Sequence, residues 1–352
     1  MTTWRQKAIQ AGMELFCATG AHRLAEPFTR GLGAVLMFHR VRPRLEQRFE
    51  PNQPLEISPA FLDLLLGHLR ESGFDILSLD DVVKILRTGA APARPFVALT
   101  FDDGYRDLAE FALPVLEKRR APFTAYVTTG FAAGEAPLWW VDMEEAIRRL
   151  DAFDVVVDGK RIARSCRNGE EKSAGFADLY WSLRAGDEVE LHRVVTQLCA
   201  AAGVEPRRVT QSLCLDWAGV EQLAASPLAT IGAHSITHPR LARLDLDAAM
   251  REMSESRAEL ERRLNRSVRH FCYPYGDPTS AGRREFELAR DLGFASAVTT
   301  RPGMIFPAHG EYLHALPRLS VNGKYQSLEA LDVLLSGAPF AVMNYGRRVA
   351  AA

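Results

Sequence analysis

Phe96-Val97-Ala98-Leu99-Thr100-Phe101-Asp102-Asp103-Gly104-Tyr105 decides the fold class. Its first six residues carry no charge and are mostly apolar, the pattern of a strand buried on both faces, as the strands of a parallel sheet are. The run ends directly on two adjacent carboxylates, and the C-terminal ends of strands form the active face of a parallel α/β barrel. Two neighbouring carboxylates repel unless a cation or a shared proton relieves them. Gly104 allows a tight turn with positive φ. The bland alternative is that one aspartate caps the helix that follows.

Outward from this stretch, similar short runs at 34–38, 123–128, 229–233, 270–273, 296–299 and 316–321 each end on polar residues. Helical periodicity fills many of the gaps. One helix opens at Ser58-Pro59, with serine as N-cap and proline at the first position, and runs through Phe61, Leu65 and Leu69 to Gly73. A second starts at Asp80 or Asp81, a third follows Asp103 through Leu116, and the longest spans 247–264. This alternation predicts a parallel sheet closed, or nearly closed, into a barrel.

About 100 residues separate the strand near Val127 from that near Ile231, far more than one helical crossover needs. Within them, Val155 to Ile162 reads as a hairpin around Asp158-Gly159, followed by helical runs at 176–183 and 189–202. The expected organisation is an N-terminal helical segment at 1–32, a barrel at 33–136 and 216–322, an inserted cap at 137–215, and a C-terminal helix and tail at 323–352. The cap begins with Trp139-Trp140, whose rings either stack on sugar faces or pack the cap onto the barrel.

Bulk properties narrow the function classes. The 352 residues are 47% hydrophobic and 25% charged, an ordinary globular composition. With 43 basic and 44 acidic residues the net charge is −1, so no electrostatic drive toward nucleic acid exists. Five cysteines, none at C-x-x-C spacing, argue against a disulfide framework or a zinc ribbon and for a reducing compartment. No stretch reaches the roughly 18 to 20 apolar residues of a membrane span. Arg5 and Lys7 precede the apolar run 11–18, but Glu14 breaks it, which makes a poor signal peptide. Trp4, Ala8, Leu15 and Phe16 instead line one side of a short helix, packed on the domain or resting on a membrane surface. The expected location is the cytoplasm, with peripheral contact at the inner face of the membrane as an accompanying reading. No feature selects an oligomeric state.

Chemistry gathers at the other strand ends. Ile231-Gly232-Ala233 runs into His234-Ser235-Ile236-Thr237-His238-Pro239. Pro239 biases His238 away from α geometry, which places the histidine pair on a turn leaving the strand. Two imidazoles and one carboxylate make a metal site with open positions for water and substrate. Such donors suit zinc, and also cobalt, nickel or iron. Phe271-Cys272-Tyr273-Pro274-Tyr275-Gly276 carries a strand into a turn whose N–H groups can point at a developing oxyanion. Ala315 to Val321 places Arg318 near the same mouth, and Phe38-His39-Arg40-Val41 ends the first strand there.

Thr-Phe-Asp-Asp-Gly at 100–104, His-Ser-x-x-His at 234–238 and Tyr-Pro-Tyr-Gly at 273–276, in this order, resemble the polysaccharide deacetylase family, also called the NodB homology domain or carbohydrate esterase family 4. The resemblance covers about residues 33–136 and 216–322. Phe-His-Arg-Val and the Tyr-Pro-Tyr form resemble the subgroup acting on exopolysaccharides. The resemblance implies a distorted, TIM-like (β/α) barrel of seven or eight strands and metal-dependent hydrolysis of N-acetyl groups on amino sugars of a poly- or oligosaccharide. It implies Asp102 as general base, Asp103, His234 and His238 as metal ligands, and the Tyr275 backbone N–H as oxyanion donor. A vicinal aspartate pair divides naturally into one ligand and one base.

Two positions depart from the family pattern. Where the family has an arginine that orients the catalytic aspartate, this chain has Cys272; where it has the histidine of Leu-x-His, this chain has Arg318. Arginine stays protonated and cannot act as a general acid. Arg318 is therefore expected to pair with Asp102 in place of the missing arginine. His39 becomes the leading candidate for the acid, ahead of His314, which sits at the far end of its strand. Cys272 is read as a small residue filling the barrel interior rather than a reactive thiol or ligand. Asp216 is read as a helix N-cap. Trp139, Trp140 and Tyr105 are candidate carbohydrate-binding residues. Two alternatives remain at this stage: a non-catalytic carbohydrate-binding relative within a polysaccharide synthesis complex, and another metal-dependent amidohydrolase acting on a small cyclic amide or formamide.

Overall fold

The computed structural model describes residues 11–12, 14–324 and 326–349. Trp4, Arg5, Lys7 and Ala8 of the N-terminal reading lie outside the described residues. Chain order runs β1 (Gly33–Phe38), the short pair β2 (Arg40–Val41) and β3 (Glu56–Ile57), then β4 (Asp75–Leu77), β5 (Phe96–Phe101) and β6 (Phe123–Val127). The hairpin β7 (Ala152–Val157) and β8 (Lys160–Ser165) follows, then β9 (Ala229–Ala233), β10 (His270–Cys272), β11 (Ser296–Val298) and β12 (Leu319–Ser320). An eight-stranded sheet has the order β11-β10-β9-β6-β5-β1-β12, with β4 also on β5, and every pairing in it is parallel.

β1 and β5 lie side by side in full register, Gly33 opposite Phe96 and Phe38 opposite Phe101. All six positions of each are buried, as their uncharged sequences require. The other edge of β5 is shared, its first half by β4 and its second half by β6.

The sheet curls until its ends meet. Leu316 N–H donates to Ala297 O at 3.0 Å and Leu316 O accepts from Thr299 N–H at 2.9 Å, which ties the segment to β11. Three residues later Leu319 pairs with Leu36 of β1. One crossing segment thus closes the barrel wall. The run 316–321 becomes a two-residue strand rather than a full one, because Pro317 has no N–H to donate and the chain changes partner there.

Helices cover the outside. Pro59–Glu71 is capped by Ser58, whose hydroxyl accepts from Phe61 N–H at 3.1 Å. Leu79–Thr88 starts slightly earlier than the aspartates indicate. Ser78 is its cap, and Asp80 and Asp81 occupy the first turn, where negative charge meets the positive end of the helix dipole. After Asp103 a π turn at Leu108–Ala112 leads into Leu113–Lys118. Leu246–Leu264 is capped by Asp245.

Between β6 and β9 the chain forms the helices Trp139–Arg149, Gly169–Ala185, Glu188–Ala202 and Pro206–Leu213 around the β7–β8 hairpin. Asp158 (φ 49°) and Gly159 (φ 74°) make its two-residue turn, where both central residues take positive φ. Met143, Ile147, Leu179, Leu191 and Val194 form an apolar cluster of their own, which Tyr105 and Phe131 join from the barrel side. The helices Ala21–Thr29 and Ala338–Met343 pack together below the start of β1, where Thr29 Oγ1 donates to Ser336 O at 2.6 Å. Among the described residues no helix is long and apolar enough to cross a membrane. The five cysteines are free thiols, four of them buried.

Candidate active site

The loops leaving β5, β9 and β10 meet at one end of the barrel with the crossing segment before β12. Four of the eight non-glycine residues with positive φ among the described residues belong to them: Asp103 (72°), Ser235 (63°), His238 (61°) and Tyr275 (61°). Such backbone costs roughly 1 to 3 kcal/mol per residue and persists where the surroundings over-determine it. His238 does leave α geometry, as Pro239 requires, into the left-handed region.

Asp103 Oδ1 lies 3.3 Å from His234 Nε2 and 3.3 Å from His238 Nε2. All three side chains are buried. His234 Nδ1 is 2.7 Å from Cys272 O. A carbonyl only accepts, so Nδ1 carries a proton and Nε2 is the atom His234 turns toward Asp103; burial would lower the His234 pKa, but Cys272 and Asp103 outweigh it and raise it well above the ordinary imidazole value. His238 Nδ1 is buried and without a hydrogen-bond partner, and its ring sits among Trp140, Phe131 and Tyr275. Burial lowers the His238 pKa and so favours its neutral form. Burial alone would raise the Asp103 carboxyl, but the two imidazoles outweigh it and hold the group well below the usual carboxylate range.

Asp102 faces a different partner. Arg318 Nη1 donates to Asp102 Oδ1 and Nη2 to Oδ2, both at 2.7 Å, a bidentate pair that is almost wholly buried. The remaining donors of Arg318 reach Thr299 O at 2.9 Å, Thr100 Oγ1 at 3.0 Å and Cys272 Sγ at 3.1 Å. Burial would raise the Asp102 carboxyl, yet Arg318 holds it below the ordinary value. Asp102, His234 and Cys272 also bring donor atoms close together. That second group is a poor cation site, because a guanidinium already occupies its carboxylate and burial raises the Cys272 thiol.

His39 follows β1 directly, half-buried and near enough to Asp102 and Asp103 to lower both carboxyls. His314 is remote in role, with Nε2 2.8 Å from Phe294 O. Tyr275 centres a three-residue turn closed by Gly276 N–H to Pro274 O at 2.7 Å. Its positive φ is that of the rarer γ-turn. Asp216 caps the helix Trp217–Ala224 through Gly219 N–H at 2.9 Å.

Trp139, Trp140 and Tyr105 require a correction. The rings are 2%, 5% and 0% exposed, so none offers a face on which a sugar could stack. Trp140 Nε1 donates to Tyr105 Oη at 3.1 Å and Trp139 Nε1 to Tyr275 Oη at 2.6 Å. These side chains tie the helix Trp139–Arg149 to Tyr105 and Tyr275 beside His238.

Other contributors carry no sequence signal. Glu252, on Leu246–Leu264, accepts from Ile236 N–H at 2.7 Å and Thr237 N–H at 2.9 Å and so fixes the turn between the histidines. Asp107 accepts from Arg40 Nε at 2.7 Å and Val41 N–H at 3.1 Å beneath the His39 loop. Arg184, on Gly169–Ala185, reaches Asp277 Oδ2 at 2.7 Å.

A family model described as polysaccharide deacetylase matches residues 89–164 and 183–297. No curated protein sequence matches the chain. Among solved structures, the Streptococcus pyogenes deacetylase PplD in complex with acetate is 19% identical, with TM-score 0.57, over 86% of this chain and 97% of that one. IcaB from Ammonifex degensii is 19% identical, with TM-score 0.51, over 86% and 98%. BC0361, a polysaccharide deacetylase from Bacillus cereus, is 16% identical, with TM-score 0.53, over 86% and 68%. At these identities the structural likeness shows a shared fold.

Proposed function

The chain belongs to the polysaccharide deacetylase family, and from that premise we propose that it hydrolyses N-acetyl groups of amino sugars in a poly- or oligosaccharide with the help of a divalent cation. The observation that carries this reading is the pair of imidazole Nε2 atoms, each 3.3 Å from one Asp103 oxygen, beside the Asp102–Arg318 pair at the same strand ends.

The donor set fits a cation. Two imidazoles and one ionised carboxylate converge, and the Cys272 carbonyl orients His234 from behind, the arrangement that metal-binding histidines use. Asp103, His234 and His238 would hold the ion, zinc first, with cobalt, nickel or iron also suited to these donors. When bound, such an ion polarises the acetyl carbonyl and brings the pKa of water to about 7.

The chain's own residues do the rest. Asp102, held in one orientation by Arg318, accepts the proton of the attacking water. The Tyr275 N–H donates to the oxygen on which negative charge grows, a contribution of roughly 3 to 4 kcal/mol for a well-placed donor. His39 gives a proton to the departing amine as the C–N bond breaks, leaving acetate and a free amino sugar. Residues 137–215 form an inserted cap on a barrel of residues 33–136 and 216–322, a reading supported by their separate apolar cluster.

A cytoplasmic location with peripheral contact at the membrane surface is part of the proposal. It is supported by the free cysteines and by bare Leu24, Phe28, Val342 and Tyr345 beside exposed Arg23, Arg347 and Arg348 at the packed terminal helices.

The test is acetate release from N-acetylglucosamine oligomers by metal-stripped protein, with and without added Zn²⁺ or Co²⁺, beside Asp102→Asn. Metal-dependent release that Asp102→Asn lacks is the expected result. Stoichiometric metal binding with no release from any oligomer would overturn the reading and leave a carbohydrate-binding relative.

A further inference from the structure

The turn that carries Tyr275 is gripped from the inserted segment. Arg184, near the end of Gly169–Ala185, places its guanidinium carbon 3.8 Å from the centre of the Tyr275 ring. Its Nη2 donates at 2.7 Å to Oδ2 of Asp277, the residue directly after the same turn. From the segment's first helix, Trp139 Nε1 donates to the Tyr275 hydroxyl at 2.6 Å. The ring also lies 4.8 Å, centre to centre, from His238. Tyr275 is thus held at its hydroxyl, across its face and against a candidate ligand, while its own backbone sits at φ 61°.

Two features argue that this contact does more than dock the segment. Docking has a separate anchor: buried Arg240 donates through Nε to Glu188 Oε1 at 2.6 Å and through Nη2 to Gly186 O at 2.6 Å, and it also bonds the Arg184 carbonyl. Moreover, the Arg184 guanidinium reaches the turn and the residues just after it, stacking on Tyr275 and donating through Nη2 to Asp277 Oδ2 and to Ser280 Oγ at 3.5 Å. A γ-turn with positive φ is costly, and without outside support it relaxes.

We propose that Arg184 is a positioning residue for the Tyr275 backbone N–H, so that residues 137–215 complete the oxyanion side of the site as well as covering it. The proposal rests on the reading of Tyr275 as oxyanion donor. Cation–π contact with a desolvated ring is strong enough to shift the balance between a held and a relaxed turn about tenfold.

The test is amide hydrogen exchange of the segment 273–278 in the full chain, wild type against Arg184→Ala and Arg184→Lys, with steady-state kinetics alongside. Arg184→Ala is expected to speed exchange at Tyr275 and Gly276 about tenfold while β9 and β5 keep their protection. In the same variant kcat should fall about tenfold with KM and metal stoichiometry unchanged, and added guanidinium should restore part of it. Arg184→Lys keeps the charge without the planar stack and should lie between. It also carries the test if the alanine variant does not fold. Unchanged exchange at Tyr275 and Gly276 in a variant with wild-type Tm would overturn the proposal. So would kcat, KM and metal binding all falling together. A wild type that releases no acetate would refute the deacetylase reading, and the exchange measurement would still decide this one.

Discussion

Replacing Arg318 by methionine strands the Asp102 carboxylate in the barrel interior, and the cost can be worked from the contacts. Both carboxylate oxygens receive an N–H at 2.7 Å, and the two side chains are 0% and 3% exposed. Removing one partner of such a pair costs about 3 to 5 kcal/mol, because the other charge stays buried and unpaired, whereas replacing both by neutral groups is close to neutral. Arg318→Met and Asp102→Asn should each destabilise by that order, and the double variant should recover most of the loss. The expected coupling is about 3 kcal/mol or more, against the roughly 0 to 1 kcal/mol of a surface pair. The assay is urea unfolding of the metal-free protein for all four members of the cycle, which keeps ligand binding out of the comparison. On the proposed role of Asp102 as base, Arg318→Met with metal restored should lower kcat about a hundredfold, since a base displaced by about 1 Å loses on that scale. A coupling below about 1 kcal/mol would refute the assignment of Arg318 as the residue that compensates and orients Asp102.

Asp142 is fully buried with neither carboxylate oxygen hydrogen-bonded, and burial pushes its pKa up to about 8 from 3.8. The folded chain therefore keeps a proton that the unfolded chain releases, so stability is full below about pH 4 and is lost as pH rises to about 8. At about 1.4 kcal/mol per unit the loss is at most about 6 kcal/mol. Asp142→Asn should flatten this slope in unfolding measured between pH 5 and 9, and parallel curves for the two proteins would refute the reasoning. Gly276→Ala places a Cβ 2.6 Å from Thr300 N at a residue with φ 61°. It should lower kcat about tenfold or more at wild-type metal stoichiometry, because the neighbouring Tyr275 N–H is displaced; kinetics indistinguishable from wild type would count against an oxyanion role for the turn.

Much of the fold is legible in the chain because its signals are local. The uncharged runs that became β1, β5, β6 and β9 identify themselves by composition, and the Asp158-Gly159 hairpin by a turn that only such residues make easily. Capping is local too, but Ser78 and the aspartates after it compete for the same role, and only the bond from Asp81 N–H decides for serine. The crossing at 316–321 could not be read as two half-pairings, since its two partners lie far from it in sequence.

The site divides along the same line. Sequence by itself determined the donor chemistry and its order: carboxylates, imidazoles and a tight turn at three strand ends, with Arg318 and Cys272 standing in unusual places. Those assignments follow from residue type and from the backbone preferences of neighbours such as Gly104 and Pro239, which need no tertiary partner. Only the tertiary structure decided which groups touch. It paired Arg318 with both oxygens of Asp102, turned Trp139, Trp140 and Tyr105 from apparent sugar platforms into buried packing, and brought Arg184 across about ninety residues onto Tyr275. The physical reason is that burial and partnership belong to the packed whole. An aromatic side chain has the same local signature whether solvent or another ring covers its face.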